Sequence, residues 1–253
     1  MPDEYIRLLS GFSACDVADG LQNVYGLSDG GYFPNLSERS CKNGKSVVGR
    51  AYTVLFAPAS DPRPAVNYID AIPEGSVVTL AYTPELQTTM APYTYVNNAI
   101  FGGLMAGRAQ FQGASGTVVF GRVRDVDEFE SLHYPVYSYG LGATASKGVV
   151  KPVAVGVPLD IVTCAAVPQE PAAGEGAGSC HQRRRTTMRI ESGDYIVCDA
   201  HGMVRIPTAN VDMEKLISYI KSSIEADQLV ARDIARGEPA EASKKRYRSA
   251  LSK

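Results

Sequence analysis

The most informative stretch of the chain is Gly116-Thr117-Val118-Val119-Phe120-Gly121-Arg122-Val123-Arg124-Asp125. Its apolar part, Thr117 to Phe120, holds four β-forming residues between two glycines. This pattern is typical of a strand that is covered on both faces. The strand runs into a cation and an acid, Arg124 and Asp125, and a buried strand that ends in charge indicates a functional site.

A second feature lies upstream, where Gly102 and Gly103 precede a helical pattern. In that helix Phe101, Leu104, Met105 and Ala109 are predicted to share one face, at i, i+3, i+4 and i+8 spacing. The two glycines leave backbone amides exposed where the helix begins. Bare N–H groups at a helix start attract carboxylate or phosphate.

Arg124 and Asp125 add two further functions to this helix start. The arginine is a forked donor for an anion or an enolate oxygen, and the aspartate is a hard oxygen ligand for a divalent cation. Together these groups predict a site for a small, metal-chelated acid. Two alternatives stay open: a solvated or purely structural Arg-Asp ion pair, and a glycine pair that serves a turn or close packing.

The rest of the chain alternates between helices and strands, which predicts an α/β fold. The amphipathic helix near 212–236 has the clearest pattern, with an apolar stripe and a terminal Gly237. Its stripe is formed by Leu216, Ile217, Ile220, Ile224, Ala231 and Ile234. Helices are also predicted at 4–9, 15–24 (with Ser13 as a cap) and 63–71. Strands are predicted at 46–56, 76–82, 136–139, 149–155, 159–162, 195–198 and 203–206.

Composition excludes several classes of function. The 253 residues are 45% hydrophobic without a long uninterrupted apolar segment, so no membrane span is expected. A net charge of −2 provides no general basic field for nucleic acid. The start Met1-Pro2-Asp3-Glu4 lacks the pattern of a signal peptide, so a cytoplasmic location is expected. Five cysteines without paired close spacing predict reduced thiols rather than disulfides or zinc; a metal pair of Cys180 and His181 is disfavoured.

The segment 168–185 differs from its surroundings, being rich in Pro, Gly, Ala and Glu before the run Arg183-Arg184-Arg185. Such a composition predicts a mobile surface insertion. The arginine run is interpreted as solvated charge rather than a nucleic-acid site.

Three sets of residues together resemble the RraA-like family, over about Phe12 to Ile234. They are Gly102 to Ala106, Gly116 to Asp125, and Ser192-Gly193-Asp194 with Asp199, Gly202, Val204 and Pro207. The family includes class II 4-hydroxy-4-methyl-2-oxoglutarate aldolases, which also decarboxylate oxaloacetate. The segments 32–35 and 61–70 resemble its fungal members.

The resemblance implies a single domain over 1–253 with a β/β/α swivelling-type fold, stacked sheets and flanking helices. It also implies a homotrimer or hexamer with sites near subunit contacts. The family's carboxylate cradle falls on Gly102, Gly103, Leu104 and Met105. Its substrate-binding arginine falls on Arg124 and its metal-bound carboxylate on Asp125. Some relatives carry an acid where this chain has Gly103, and Asp199 is a weaker candidate for a further acid.

The implied reaction is that of a divalent-metal-dependent lyase. A small 2-oxo acid would bind Mg²⁺ or Mn²⁺, and C–C cleavage would leave a pyruvate enolate facing the metal and Arg124. His133 and His201 are interpreted as structural. Two alternatives remain: a lysine aldolase using Lys147 or Lys151 as a Schiff base, and a non-catalytic regulatory protein of the ribonuclease-inhibitor type.

Overall fold

A computed structural model describes residues 3–40, 46–164 and 185–249. The insertion expected at 168–185 lies outside these residues except for Arg185, and so do Cys41, Cys180 and His181. The helices are α1 (Glu4–Leu9), α2 (Ala14–Tyr25), α3 (Gly103–Phe111), α4 (Val126–Leu132), α5 (Met213–Ala235) and α6 (Ala240–Arg248). The strands are β1 (Tyr32–Phe33), β2 (Ser37–Glu38), β3 (Val47–Pro58), β4 (Ser76–Tyr82), β5 (Ala99–Phe101), β6 (Gly116–Val123), β7 (Val136–Leu141), β8 (Val150–Val155), β9 (Leu159–Cys164), β10 (Arg185–Ile190), β11 (Tyr195–Asp199) and β12 (Gly202–Ile206).

Ten of the strands form one mixed sheet. Eight of them follow the order β1-β12-β11-β3-β4-β6-β7-β2, and the other two, β5 and β8, pair with β6 and β3. At its centre β3, β4, β6 and β7 run parallel, β5 lies parallel to β6, and β8 pairs antiparallel with β3. The strands β9 and β10 form a separate antiparallel sheet. The α/β class predicted from the sequence is therefore confirmed.

Successive side chains along the central strands pack on opposite faces of the large sheet, against two different apolar cores. In β4, Val78 and Leu80 face the apolar core that holds Phe129 of α4, whereas Val77 and Ala81 face the core that holds Leu159 of β9. Successive side chains of a strand point to opposite faces, so each central strand needs apolar residues throughout. The result is a small sheet, a large sheet and a layer of helices stacked in that order.

A further apolar core lies at the other end of the large sheet. There α1, α2 and α5 pack on β11, β12 and the first residues of β3. Local sequence fixes where two of these helices begin, because Ser13 and Asp16 form a reciprocal capping box on α2 and Asp212 caps α5. Gly237, with φ 88°, follows the end of α5, as its sequence pattern predicts.

The helix predicted at 63–71 is wrong. Residues 61–71 instead follow an irregular path beside β8, with the Val66 N–H donating to the carbonyl of Pro152 at 3.0 Å. Pro64 disfavours helical backbone in Arg63, the first residue of the predicted helix, and the bond from Val66 to β8 uses an N–H that a helix would need. Tyr68 and Ile72 are buried in the central core.

Two predicted helix faces also differ from the structure. Leu104 on α3 is 82% exposed, and the buried face consists of Gly103, Ala106 and Ala109. In α5 the first part of the stripe is buried, but Ile234 is exposed and Asp233 is buried. Asp233 accepts hydrogen bonds from Ser243 and Arg246 of α6, a helix that the sequence analysis did not predict.

Within the described ranges, none of the helices combines the length and the apolar character that crossing a membrane requires.

Candidate functional site

The predicted site residues meet at the carboxyl ends of two neighbouring parallel strands. The Arg124 N–H, just after β6, donates to the carbonyl of Phe101 at the end of β5, at 3.1 Å. This bond places Gly102 and Gly103 beside Arg124 and Asp125, although about twenty residues separate them in the chain. Ligands commonly bind at the carboxyl ends of strands in open α/β sheets.

Asp125 is turned back toward the start of α3. Its backbone has φ 61°, a left-handed conformation that aspartate adopts more readily than most residues. Its Oδ2 accepts the Gly103 N–H at 3.2 Å and lies 3.4 Å from the Nε of Arg124. The side chains of Arg124 and Asp125 are 41% and 36% exposed, so the ion pair is open to solvent. Within the described part of the chain, Oδ1 has no partner and is free to bind a ligand.

The start of α3 offers two further donors. Gly102 is the N-cap and contributes no side-chain cap, while the Gly103 N–H is used by Asp125. The N–H groups of Leu104 and Met105 have no intrahelical acceptor, and no other described residue accepts them. A Cβ at 102 would stand 2.6 Å from Asp125 Oδ2, so a side chain there would displace the Asp125 carboxylate from its present position. The predicted cradle is thus reduced to the amides of Leu104 and Met105.

Glu128, which the sequence analysis did not single out, adjoins the same helix start. Its carboxylate fills the space that a Cβ of Gly103 would occupy, and its own Cβ lies 2.7 Å from that position. The sequence signal that could have found it is its spacing: Asp125 and Glu128 are three residues apart at the start of α4 and share one side of it.

The arrangement fits a magnesium-like cation. No group of three or more His, Cys, Asp or Glu side chains converges anywhere in the described ranges, so a cage made only of protein ligands is not present there. Magnesium is commonly held by one or two carboxylates together with water and substrate oxygens. Asp125, with one free oxygen at an exposed strand end, matches that mode of binding.

Asp199 lies away from these residues within the chain. Cys198 pairs with Val47 at the beginning of β3, so Asp199 sits at the edge of the sheet opposite the carboxyl ends of β4 and β6. Its Oδ2 accepts the Ala14 N–H at 2.8 Å at the start of α2, and its Oδ1 accepts the His201 N–H. These bonds give Asp199 a structural role.

The lysines and the remaining histidine have other surroundings. The Nζ of Lys151 donates to the carbonyl of Asp61 at 2.8 Å, and Lys147 is exposed. His133 ends α4 in a left-handed conformation, with φ 52°. Of the cysteines in the described ranges, Cys15, Cys164 and Cys198 are unpaired. Burial raises the pKa of the Cys198 thiol well above its usual value, which keeps it protonated.

Comparison with known proteins identifies the family of this chain. The model of the RraA-like family, described as Aldolase/RraA, matches residues 14–205. Protein DlpA of Legionella pneumophila is 25% identical over 98% of the chain, and the chain spans only 34% of its length. A crystal structure of an uncharacterized Pseudomonas syringae protein superposes with a TM-score of 0.69 at 23% identity, covering 95% of this chain and 96% of that one.

A further solved structure has the same fold. Streptomyces coelicolor RraAS2, described as an unusual member of the RNase ES inhibitor RraA protein family, superposes with a TM-score of 0.63 at 21% identity. The likeness covers 93% of this chain and 97% of that one. The family match extends over most of the chain, from α2 to β12. The chain therefore belongs to the RraA-like family, which includes both aldolase members and members of the ribonuclease-inhibitor type.

Proposed function

We propose that this protein is a divalent-metal-dependent carbon–carbon lyase for small 2-oxo acids. Its substrates would be 4-hydroxy-4-methyl-2-oxoglutarate, cleaved to pyruvate, and oxaloacetate, which it would decarboxylate. The observation that carries the proposal is the meeting of a free Asp125 oxygen, the Arg124 guanidinium and two open amides at one strand end. Membership of a family with aldolase members supports it.

Each group has a separate task in this reaction. The amides of Leu104 and Met105 bind the substrate carboxylate at the positive end of α3. The Nε of Arg124 lies beside Asp125, whereas its outer N–H bonds have no acceptor among the described residues and donate to the developing enolate oxygen. Asp125 would hold Mg²⁺ or Mn²⁺ through Oδ1. When bound, the cation supplies Lewis-acid polarisation of the 2-oxo group.

The two reactions share one bond change. In the aldol substrate the C3–C4 bond breaks, its electron pair moves to the C2 oxygen as an enolate, and the C4 hydroxyl loses its proton to give a second pyruvate. In oxaloacetate the same bond breaks with release of carbon dioxide. Both enolates then take up a proton at C3 to give pyruvate. A site that stabilises this enolate therefore serves both substrates.

The surroundings of the lysines favour this proposal over Schiff-base chemistry. A Schiff-base lysine needs a desolvated, neutral amine. Lys147 is exposed, whereas Lys151 donates a hydrogen bond to the Asp61 carbonyl. The pKa of the nearby Asp61 carboxyl is lowered to about 2, chiefly by hydrogen bonds from Arg63, so Lys151 lies beside a carboxylate rather than in an apolar pocket.

A pyruvate-release assay tests the proposal. We expect the native protein to release pyruvate from both substrates with Mg²⁺ or Mn²⁺, and a chelator to stop both reactions. Asp125→Asn should lose both activities together while its melting temperature stays near the native value. Glu130→Gln, at an exposed acid on α4, is the matched control. Pyruvate release that persists in chelator with a borohydride-trapped adduct would favour a lysine enzyme. No release from either substrate would favour a regulatory role.

A further inference from the structure

Residue 103 is a glycine, and the carboxylate of another residue, Glu128, occupies the space where a side chain at 103 would stand. The Glu128 carboxyl group overlaps the position of a Cβ at Gly103, while Asp125 Oδ2 accepts the N–H of the same residue at 3.2 Å. Two carboxylates therefore approach one α-carbon, one from the amide side and one from the side-chain side. The Asp125 carboxylate follows the end of β6, and the Glu128 carboxylate belongs to the first turn of α4.

The local structure leaves Glu128 free to take this position. A glutamate at the third position of a helix often reaches back to the N-cap amide in a capping box. α2 uses that arrangement with Asp16, but Asp125, the N-cap of α4, makes no side-chain cap bond. Within the described ranges, the Glu128 carboxylate accepts no hydrogen bond and forms no ion pair.

Among the described residues the charges at this point do not balance. Asp125 has Arg124 as a partner through a single 3.4 Å contact, whereas Glu128 has no cationic side chain as a partner and only the positive ends of α3 and of its own helix, α4, beside it. Two neighbouring carboxylates repel each other unless a cation lies between or beside them. The simplest group that relieves this repulsion is the divalent ion for which Asp125 already offers an oxygen.

We propose that Glu128 is the second carboxylate that holds the divalent cation, and that residue 103 is glycine in order to admit it. The inference rests on the proposed function and deepens it, because it completes the cation site from within one chain. An acid carried on α4 thus acts where a side chain at position 103 would otherwise stand. A side chain at 103 and the present position of Glu128 exclude each other.

Mn²⁺ binding to the substrate-free protein tests this assignment without relying on activity. We expect Glu128→Ala to weaken Mn²⁺ binding about 10-fold, measured by calorimetry or by the loss of the free-ion paramagnetic signal. Glu130→Ala, the same change on the same helix, should bind as the native protein does. Gly103→Ala should weaken binding by displacing Glu128, and it should cause no further loss in Glu128→Gly, which also lacks the Cβ that lies 2.7 Å from the added one.

The outcomes separate this inference from the proposed function. If Asp125→Asn loses Mn²⁺ but Glu128→Ala binds with native affinity, the inference is overturned and the proposed cation site stands. Equal weakening by Glu128→Ala and Glu130→Ala would also overturn it, because a general charge effect would then suffice. If Gly103→Ala weakens binding as much in Glu128→Gly as it does in the native protein, the link between the two positions is wrong. A native protein that binds no Mn²⁺ would overturn both proposals.

Discussion

At the level of single residues, the Nε of Arg124 faces Asp125, and its two outer nitrogens make no hydrogen bond to any described residue. Its Nε lies 3.4 Å from Asp125 Oδ2, and its side chain is 41% exposed. A planar guanidinium can keep that contact while its outer N–H bonds face a substrate oxygen. A lysine ammonium is a single point of charge and cannot do both in the same geometry.

We therefore expect Arg124→Lys to lower kcat/KM for oxaloacetate at least about 10-fold, since losing one donor to a developing oxyanion commonly costs that much or more. Steady-state pyruvate release measures it. Arg108→Lys is the matched control, because Arg108 on α3 pairs with Asp70 at 2.7 Å outside the site. An unchanged kcat/KM in Arg124→Lys would show that the guanidinium does not contact the reacting atoms.

The amides at the start of α3 need a test that leaves Glu128 undisturbed. A bulky residue at 103 would displace Glu128, so its effect could not be assigned to the amides. Leu104→Pro removes one N–H while helical backbone is tolerated in the first turn. Leu104→Ala keeps the amide, and the exposed leucine side chain contributes little to the core.

Oxalate, a planar dianion that resembles the pyruvate enolate, is the probe. We expect competitive inhibition by oxalate to weaken at least about 10-fold in Leu104→Pro and to stay near native in Leu104→Ala, because a charge-assisted hydrogen bond contributes roughly 1.5–3 kcal/mol. Inhibition constants from pyruvate-release assays give the comparison. Equal oxalate inhibition of the two variants would exclude the Leu104 amide from substrate binding.

At the scale of elements, α1 is attached to the sheet by the residue that caps it. Asp3 accepts the Tyr5 N–H at 3.1 Å, the Arg50 Nε at 2.9 Å and the Tyr195 hydroxyl at 2.9 Å. Partial burial raises the pKa of Asp3, but the hydrogen bonds from Tyr195 and Arg50 outweigh it and leave the pKa below 3.8. The lowered pKa means that the folded protein favours the ionised form.

The sign of the pH dependence follows from this shift. The stability contributed by Asp3 is complete above pH 3.8 and is lost as the pH falls through the lowered pKa of the folded state. Asp3→Asn keeps a good capping side chain and removes only the charge. It should lower the free energy of unfolding by about 1 kcal/mol or less at pH 7, since the pair is partly exposed.

Denaturant unfolding at pH 7 and at steps below pH 4 measures this effect as the difference between native protein and variant. The difference should shrink as the pH falls below about 4. Glu4→Gln, at an exposed neighbour, should show little difference at any pH. A difference for Asp3→Asn that stays constant down to acid unfolding would assign its role to packing rather than charge.

Elements with a strong local signal could be predicted from the sequence. Strand β4 has the predicted bounds, because seven consecutive buried residues between turns leave few alternatives. The strand β6 was placed correctly but extends past Gly121 to Val123. In the sequence Gly121 indicates the end of the strand. In the structure it admits the ring of Tyr82, which lies 2.8 Å from where a Cβ of residue 121 would stand. Such a close approach of two strands has no local sequence signal.

Tertiary contacts explain what the sequence could not provide at the site. The pairing of β5 with β6, for which the sequence offers no prediction, brings Gly103 to Asp125. The position of Glu128 depends on how α4 packs beside α3, so sequence alone left open which acid adjoins Gly103. The exposure of Leu104 was missed because spacing alone does not say which helix face meets the sheet.

At the scale of the whole molecule, the site and the packing of α2 against α5 lie in different parts of the fold. The site lies at the carboxyl ends of β5 and β6, whereas α2 and α5 cover β11 and β12 in a separate apolar core. Close approach of these two helices depends on Gly20. A Cβ at this residue would stand 2.9 Å from Ile220 Cγ1 and 2.9 Å from Leu216 Cδ1.

Gly20→Val should therefore destabilise the protein by roughly 1–3 kcal/mol through overpacking, while Mn²⁺ affinity and kcat/KM per folded molecule stay native.

Gly107→Ala on α3 is the opposite case, because the nearest atom to its added Cβ is Leu132 Cδ1 at 3.9 Å. It should stabilise by roughly 0.5–1 kcal/mol, the helix preference of alanine over glycine. Denaturant unfolding followed by Mn²⁺ titration measures both. If Gly20→Val weakened Mn²⁺ binding at temperatures where it is fully folded, the two parts would be coupled through the sheet, and the independence inferred from their separate cores would be wrong.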